Sequence, residues 1–239
     1  MTVQYLNEHF TTGTKWSSSN VTYNAASTAR ASQTYAAASG TIRFDQTYGI
    51  NPLNTADQAV VEQVFAEWTK HINLTASSST SATPNITVSY AKNIQSYDAI
   101  TEQWVDNSGM AFKKIVNGAI SQVDILIDPA NSLQKGTWGY ETLLHEVGHS
   151  LGLFTTGTND HPHEISRDFN YTRDNTIMSY ELGKVVDSTP NAKTPMMCDI
   201  AALQHLYGAK TTETPGNNTY SMTGVKQAST IWDAGGYDI

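Results

Sequence analysis

The sequence contains one cysteine, Cys198, among 239 residues, which excludes an intramolecular disulfide and any metal site built on cysteines. We expect Cys198 to be a small buried apolar residue. No run of eighteen apolar residues occurs, so a transmembrane helix and a membrane partner are not expected. Basic residues are scarce and unclustered, with 14 Lys and Arg against 22 Asp and Glu, so nucleic acid is not expected as a partner.

The N-terminus, Met1 to Phe10, has neither a basic nor an apolar region of the kind that forms an ordinary secretion signal. The chain is long enough to bury a sizeable core within one large domain. Hydrophobic residues make up 39% and charged residues 15%, a composition that indicates a globular protein with a polar surface. We expect a monomer.

Alternation of apolar and polar residues predicts three strands. They are Thr41–Asp45, Asn85–Tyr90 and Gln122–Asp128. Residues 91–108 show no clear period and are interpreted as irregular. Gly109–Phe112 is interpreted as a short edge strand.

Helical spacing of apolar residues predicts an amphipathic helix of about four turns over roughly 56–71. The stretch Thr55 to Gln58 has the form of a capping box, in which both side chains bond free N–H groups at the helix start. His71 near its end is expected to complement the helix dipole or to be solvated. A later helix is predicted with Pro195 in its first turn and Gly208 at its end.

The most informative stretch is His145-Glu146-Val147-Gly148-His149, which has the form H-E-x-x-H. Two histidines four residues apart lie on one face of a helix, so both rings can reach one metal ion. Glu146 lies beside them and can take a proton from a metal-activated water. Gly152 follows where the helix should end, because glycine accepts a left-handed closing turn.

A second motif stands downstream. Thr176-Ile177-Met178-Ser179-Tyr180 resembles the Met-turn of the metzincin peptidases. Together, and in this order, the two motifs favour a metallopeptidase over a structural domain with an incidental H-E-x-x-H.

Four segments resemble, in order and spacing, the serralysins, which are secreted bacterial metzincin peptidases. These segments are His145–Gly152, Met178–Tyr180, Asp199–Gly208 and Trp232–Gly236. The resemblance implies an α+β catalytic domain over 1–239, with a twisted, mostly parallel mixed sheet and two long helices. It also implies a zinc cleft between an N-terminal subdomain of about 1–152 and a smaller C-terminal subdomain of about 153–239.

The resemblance implies Zn²⁺ as cofactor, peptide-bond hydrolysis as reaction, and a protein or peptide as substrate. Glu146 would be the general base, and Tyr180 resembles the family tyrosine that binds zinc at rest and then stabilises the oxyanion. Met178 would form an apolar floor beneath the metal. Gly109-Met110-Ala111 would be the edge strand that pairs with the substrate backbone.

The third metal ligand departs from the family pattern, which would place a histidine where Thr155 stands. One alternative is a six-residue insertion after Leu153, which would bring His161 into that place. A second is His163, because the residues from His163 to Arg167 are similar to the astacin continuation. The third alternative is a site with only two histidine ligands.

In serralysins, the Trp-Asp-Ala-Gly-Gly segment opens a domain of calcium-binding repeats that also carries the secretion signal. Because the sequence reaches only Ile239, we expect that domain to be absent. Calcium is therefore a secondary expectation beside zinc. The resemblance still implies a bacterial extracellular location.

Thr155 also motivates an alternative function, a catalytically impaired metzincin-like binding module. Glu146 argues against this alternative, because a scaffold that only binds a metal does not need a general base.

Overall fold

The computed structural model describes residues 10–11, 13–26, 42–98, 101–153, 172–180, 191–221 and 228–239. Within these ranges the chain forms nine strands and three helices. The strands are β1 Asn20–Asn24, β2 Ile42–Arg43, β3 Asn51–Pro52, β4 Thr75–Ser78, β5 Ile86–Tyr90, β6 Ile94–Asp98, β7 Gln103–Asn107, β8 Gly109–Val116 and β9 Ala119–Ile127. The helices are α1 Thr55–Thr69, α2 Trp138–Ser150 and α3 Met197–Tyr207.

Six strands form one mixed sheet in the order β4-β1-β5-β9-β8, with β3 paired to β5. Strands β4, β1, β5 and β9 run parallel to one another, whereas β8 is antiparallel to β9 at the edge and β3 is antiparallel to β5. Every residue of β5 is buried, as expected for a central strand of a parallel sheet. The expected α+β fold with a mostly parallel mixed sheet is therefore confirmed.

A smaller sheet of β2, β6 and β7 shows that the irregular structure predicted for 91–108 is wrong. Its strands carry polar side chains on both faces, so the apolar alternation that marks a half-buried strand is missing. Aromatic contacts stabilise the pairing instead. Tyr97 and Trp104 lie opposite each other with ring centroids 5.5 Å apart, and the Arg43 guanidinium lies 4.1 Å from the Trp104 centroid.

Helix α1 occupies almost the predicted range, but it starts differently. Asn54 is the N-cap, and its side chain accepts a hydrogen bond from the Asp57 N–H at 2.9 Å. The predicted capping box from Thr55 to Gln58 is therefore wrong by one position. The Gln58 side-chain amide donates to the Leu53 carbonyl instead.

Helices α1 and α2 meet above the sheet in one hydrophobic core. The Trp68 indole N–H donates to the Leu144 carbonyl at 3.2 Å, which ties the two helices together. Gly148 makes the close approach feasible, because a Cβ there would lie 3.0 Å from Met178 Sδ and 3.1 Å from Trp68 Cζ2. Cys198 is fully buried, as predicted.

Helix α3 begins at Met197 with Met196 as its N-cap, so Pro195 precedes the helix and is not in its first turn. The buried Asp199 carboxylate accepts the Met196 N–H at 2.8 Å. Gly208, with φ of 82°, ends the helix as predicted. In the described ranges, none of the helices combines the length and the apolar character needed to cross a membrane.

His71, just after α1, is buried rather than solvated, with 2% of its surface exposed. Within the ranges that the structure covers, neither ring nitrogen has a hydrogen-bond partner, and the ring faces Trp232 at 6.5 Å. The pKa of His71 is lowered to about 4, mainly by burial and also by the Lys70 ammonium, while Glu67 acts in the opposite direction. The folded protein therefore holds His71 neutral at pH values where the unfolded chain binds a proton.

We expect His71→Phe to remove part of the acid sensitivity of folding. The unfolded pKa is about 6.5, so the folded state binds fewer protons between pH 6.5 and pH 4. The free energy of unfolding contributed by His71 is thus fully present above pH 6.5 and is lost as the pH falls towards 4. The loss should reach about 3 kcal/mol in the wild type.

The measurement is urea unfolding of both proteins at pH 4.5 and pH 7.5, after a chelator has removed bound metal. Other titrating groups then contribute equally to both proteins. Equal changes in stability between the two pH values would contradict the effect of His71.

Candidate active site

Helix α2 carries His145, Glu146 and His149, as the H-E-x-x-H spacing predicts. It starts after Thr137, whose side-chain oxygen accepts from the Tyr140 N–H at 3.4 Å. Because four residues are little more than one turn, the two histidine rings share one face. Their centroids are 4.7 Å apart and their planes are nearly perpendicular, at 86°.

Each histidine ring is oriented by a backbone carbonyl. His145 Nδ1 lies 2.7 Å from the Ile177 oxygen, and His149 Nδ1 lies 3.0 Å from the Leu153 oxygen. A carbonyl oxygen can only accept, so both Nδ1 atoms carry the proton. In the neutral ring Nε2 then has the lone pair, which is the tautomer and orientation that metal-ligating histidines adopt.

The electrostatic surroundings favour the neutral form of His145. Its pKa is lowered to about 4, mainly by burial and also by the positive charge of Lys113, while the hydrogen bond to the Ile177 carbonyl acts in the opposite direction. A neutral imidazole is the form that binds a metal ion, so this residue fits a cation without first losing a proton.

Glu146 lies in a cleft together with His145. The first residue of β8, Gly109, is in close contact with α2. A Cβ added at Gly109 would lie 3.1 Å from Glu146 Cγ and 2.6 Å from Thr142 Cγ2. Only glycine allows this approach. Gly109 lines the cleft and begins the sheet-edge strand β8, which continues through Met110 and Ala111.

The cleft has a volume of about 250 Å³. Tyr180 lines it and is 54% exposed, so it is not a core tyrosine. Its ring stacks on His145, with centroids 5.8 Å apart and planes 11° apart. Trp138 and Ser108 line the cleft near the start of α2 and are joined by a hydrogen bond of 2.9 Å.

Met178 is fully buried beneath α2, close to Gly148. The segment that carries it is held by the carboxylate of Asp199 from α3. This carboxylate accepts the Thr176 hydroxyl at 2.5 Å and the Ile177 N–H at 2.9 Å. Because the Ile177 carbonyl orients His145, Asp199 supports this candidate metal ligand indirectly, through Ile177.

An ion pair that the sequence analysis missed joins the two sides of the cleft. Glu141 accepts from Arg173 Nη2 at 2.6 Å and from the Ala192 N–H at 2.8 Å. The Arg173 guanidinium also lies 5.7 Å from the Trp138 ring centroid. Glu141 could have been suspected, because it stands one helical turn before His145. Nothing in the local sequence marks Arg173.

Thr155, His161 and His163 lie outside the described residues, so the predictions for the third ligand remain predictions. In the described part of the chain, no group of three or more His, Cys, Asp or Glu side chains is arranged to hold a metal ion. Of the predicted metal ligands, only the histidine pair of α2 lies within the described residues.

No protein-family model matches the chain. The sequence is 34% identical to Serralysin of Proteus mirabilis over 127 residues, which cover 44% of this chain and 26% of the relative. It is 32% identical to Serralysin C of Dickeya chrysanthemi over 139 residues, covering 47% of this chain and 28% of the relative. Metalloprotease AprA of Pseudomonas entomophila is 31% identical over 128 residues, 43% of this chain and 26% of the relative.

The chain spans about a quarter of the length of these curated relatives. The similarity covers less than half of this chain, and the chain's mixed α+β architecture is compatible with a metzincin-like domain. Sequence and fold together support a distant relationship of this chain to the serralysin metalloproteases.

Proposed function

We propose that the protein is a secreted, zinc-dependent endopeptidase. The observation that carries the proposal is the histidine pair of α2. Backbone carbonyls orient both rings through their Nδ1 atoms, and Glu146 stands between them in sequence and lines the same cleft as His145. A pair of structural histidines has no need of a carboxylate at this position.

The residues present fit a zinc ion, since two imidazoles whose Nδ1 atoms are held by backbone carbonyls would supply two of the three protein ligands that a catalytic zinc uses. His161 is proposed as the third ligand, with His163 as the alternative. When bound, zinc would polarise the peptide carbonyl and acidify the attacking water.

Glu146 would act as the proton carrier. Its carboxylate would accept a proton as the water oxygen forms the new C–O bond, and would deliver that proton to the leaving nitrogen as the C–N bond breaks. Met178 would support the histidines from below as an apolar floor.

Tyr180 would donate a hydrogen bond to the carbonyl oxygen as negative charge develops there. Its exposure in the cleft and its stacking on His145 support this role. The start of β8, Gly109–Ala111, would pair with the substrate backbone, because β8 is an edge strand beside Glu146. The substrate is proposed to be a protein or peptide in an extended conformation.

On the serralysin resemblance we also infer secretion by a bacterium into its surroundings. Calcium remains a secondary proposal as a further cation. The protein is proposed to act as a monomer.

We expect His161→Ala to lower zinc affinity at least a hundredfold and to abolish cleavage of casein, because a zinc site with two protein ligands is incomplete. His163→Ala should keep both zinc and activity. The measurement is zinc per chain after dialysis, together with the rate of casein cleavage, for both variants and the wild type.

The reverse pattern would assign the third ligand to His163. A wild-type protein that binds no zinc and cleaves nothing would overturn the proposed peptidase and leave the binding module. Circular dichroism of each variant would establish that a loss of zinc does not result from unfolding.

A further inference from the structure

The cleft contains two exposed apolar side chains near the start of α2. Trp138 and Val105 both line it, and 46% and 45% of their respective surfaces are exposed. Trp138 belongs to the first turn of α2, whereas Val105 lies in β7. Single exposed apolar residues are normal on a protein surface, but two of them from different elements in one concave site favour the binding of an apolar group.

The Trp138 ring is fixed by two neighbours. Its indole N–H donates to the Ser108 hydroxyl at 2.9 Å, and the Arg173 guanidinium lies over the ring, 5.7 Å from its centroid. Arg173 is itself paired with the Glu141 carboxylate at 2.6 Å, so the two charges beside the ring balance each other. A ring that is held before a ligand arrives loses little conformational freedom on binding.

The neighbour of Val105 in β7 is acidic but points the other way. Side chains alternate along a strand, so Val105 and Asp106 lie on opposite faces of β7. The Asp106 carboxylate accepts a hydrogen bond from the Gln95 side-chain amide on β6. Although Asp106 also borders the cleft, its charge is therefore directed away from the face that carries Val105.

Strand β8 runs along α2 in the same direction as the helix. Its first residue, Gly109, is in close contact with Glu146, and the Lys113 ammonium reaches the Leu153 carbonyl beyond the helix end. The residue before Gly109 is the one bonded to Trp138. A peptide that pairs with the edge of β8 beside Glu146 would therefore extend along α2 and past Trp138.

The distance along the helix indicates which substrate residue would meet Trp138. Trp138 precedes His145 by seven residues, which corresponds to about 10 Å along the helix axis. An extended peptide advances about 3.3 Å per residue. The substrate side chain at Trp138 is thus about three residues away from the bond that is cleaved.

We propose that Trp138 is a specificity-determining residue, which together with Val105 forms a subsite for an aromatic or large aliphatic substrate side chain about two to four residues from the scissile bond. This inference rests on the proposed peptidase function and names its substrate class. It assigns a role to residues outside the H-E-x-x-H and Met-turn motifs.

The experiment measures kcat and KM separately on a set of peptides. Each peptide carries Phe, Leu, Ala, Lys or Asp at one position, scanned on both sides of the scissile bond. The wild type is compared with Trp138→Ala, Trp138→Phe and Tyr237→Ala. Tyr237 is a matched control, because it is an aromatic residue with 81% of its surface exposed and it does not line the cleft.

We expect the wild type to prefer Phe and Leu over Ala about tenfold at one position, because burying such a side chain is worth that much in binding. Trp138→Ala should remove this preference by raising KM, and should leave kcat and the other positions within about twofold of the wild type. Trp138→Phe should keep the preference, since it keeps an aromatic ring. Tyr237→Ala should match the wild type.

An unchanged preference in Trp138→Ala would overturn the inference. So would an equal fall in kcat on every peptide, which would show that Trp138 has only a structural role. A wild-type preference for Lys at this position would also overturn it and would assign the selectivity to Asp106. These three results leave the peptidase proposal intact, because the wild type cleaves peptides in each. A wild type that cleaves no peptide would instead overturn the proposed function, and this inference with it.

Discussion

Replacing Glu146 with glutamine should lower peptidase activity about a thousandfold while the protein stays folded and keeps its zinc. A general base typically contributes a factor of 10²–10⁴ to the rate. Glutamine has nearly the same shape as glutamate, so the contact with Gly109 and the position beside His145 would be preserved. Only the ability to accept and return a proton would be lost.

The test measures kcat/KM on a peptide substrate and zinc per chain for the wild type and Glu146→Gln. Thr142→Ser is a suitable control, because Thr142 also lines the cleft beside Gly109 but has no proposed part in proton transfer. Full activity in Glu146→Gln would rule out the proposed base. Loss of zinc along with activity would indicate that Glu146 supports the metal site and not the proton transfer.

The paired arrangement of His145 and His149 could be predicted from the sequence because it depends only on the period of a helix. The two carbonyls that orient the rings are not equally predictable from the sequence. Leu153 is four residues from His149 and lies just after the end of the same helix, whereas Ile177 is 32 residues from His145. That second contact depends on how the segment that contains Ile177 packs against α2, which cannot be inferred from a local sequence pattern.

The same distinction between local patterns and tertiary contacts explains which elements of the fold could be predicted from the sequence. The buried strands β5 and β9 and the two long helices have strong apolar patterns that follow from burial on a core. The hairpin of β6 and β7 has no such pattern, because it is stabilised by pairs such as Tyr97 and Trp104 across the strands. Cross-strand partners become visible only once the pairing register is known.

The start of α1 shows a smaller failure of the same kind. Thr55 and Asn54 are both good N-caps by residue type, and the sequence pattern favoured Thr55 because Gln58 follows at the right spacing. In the structure, Asn54 is also held by a hydrogen bond of 3.0 Å from its side-chain amide to the Tyr90 hydroxyl on β5. A tertiary contact therefore decided between two locally acceptable caps.

Asp199→Ala should lower the free energy of unfolding by about 4 kcal/mol. The carboxylate accepts three hydrogen bonds, from the Thr176 hydroxyl and from the N–H groups of Ile177 and Met196, and it is fully buried. Alanine would leave three donors without an acceptor in a site closed to water, and each unsatisfied buried donor costs about 1–3 kcal/mol.

The substitution should also weaken zinc binding about tenfold in the folded protein, because Ile177 connects Asp199 to His145. Asp199→Asn provides the comparison. Its amide oxygen can still accept the two backbone N–H groups, so we expect roughly half the loss of stability and a smaller change in zinc affinity.

Urea unfolding of the metal-free proteins measures the first effect, and chelator competition under native conditions measures the second. A loss below about 1 kcal/mol in Asp199→Ala would mean that water replaces the carboxylate as acceptor. If stability falls but zinc affinity does not, the Met-turn segment would hold the Ile177 carbonyl against His145 without help from α3. Both losses together would show that α3 supports the proposed ligand His145 through Ile177, although the helix contributes no side chain of its own to the cleft.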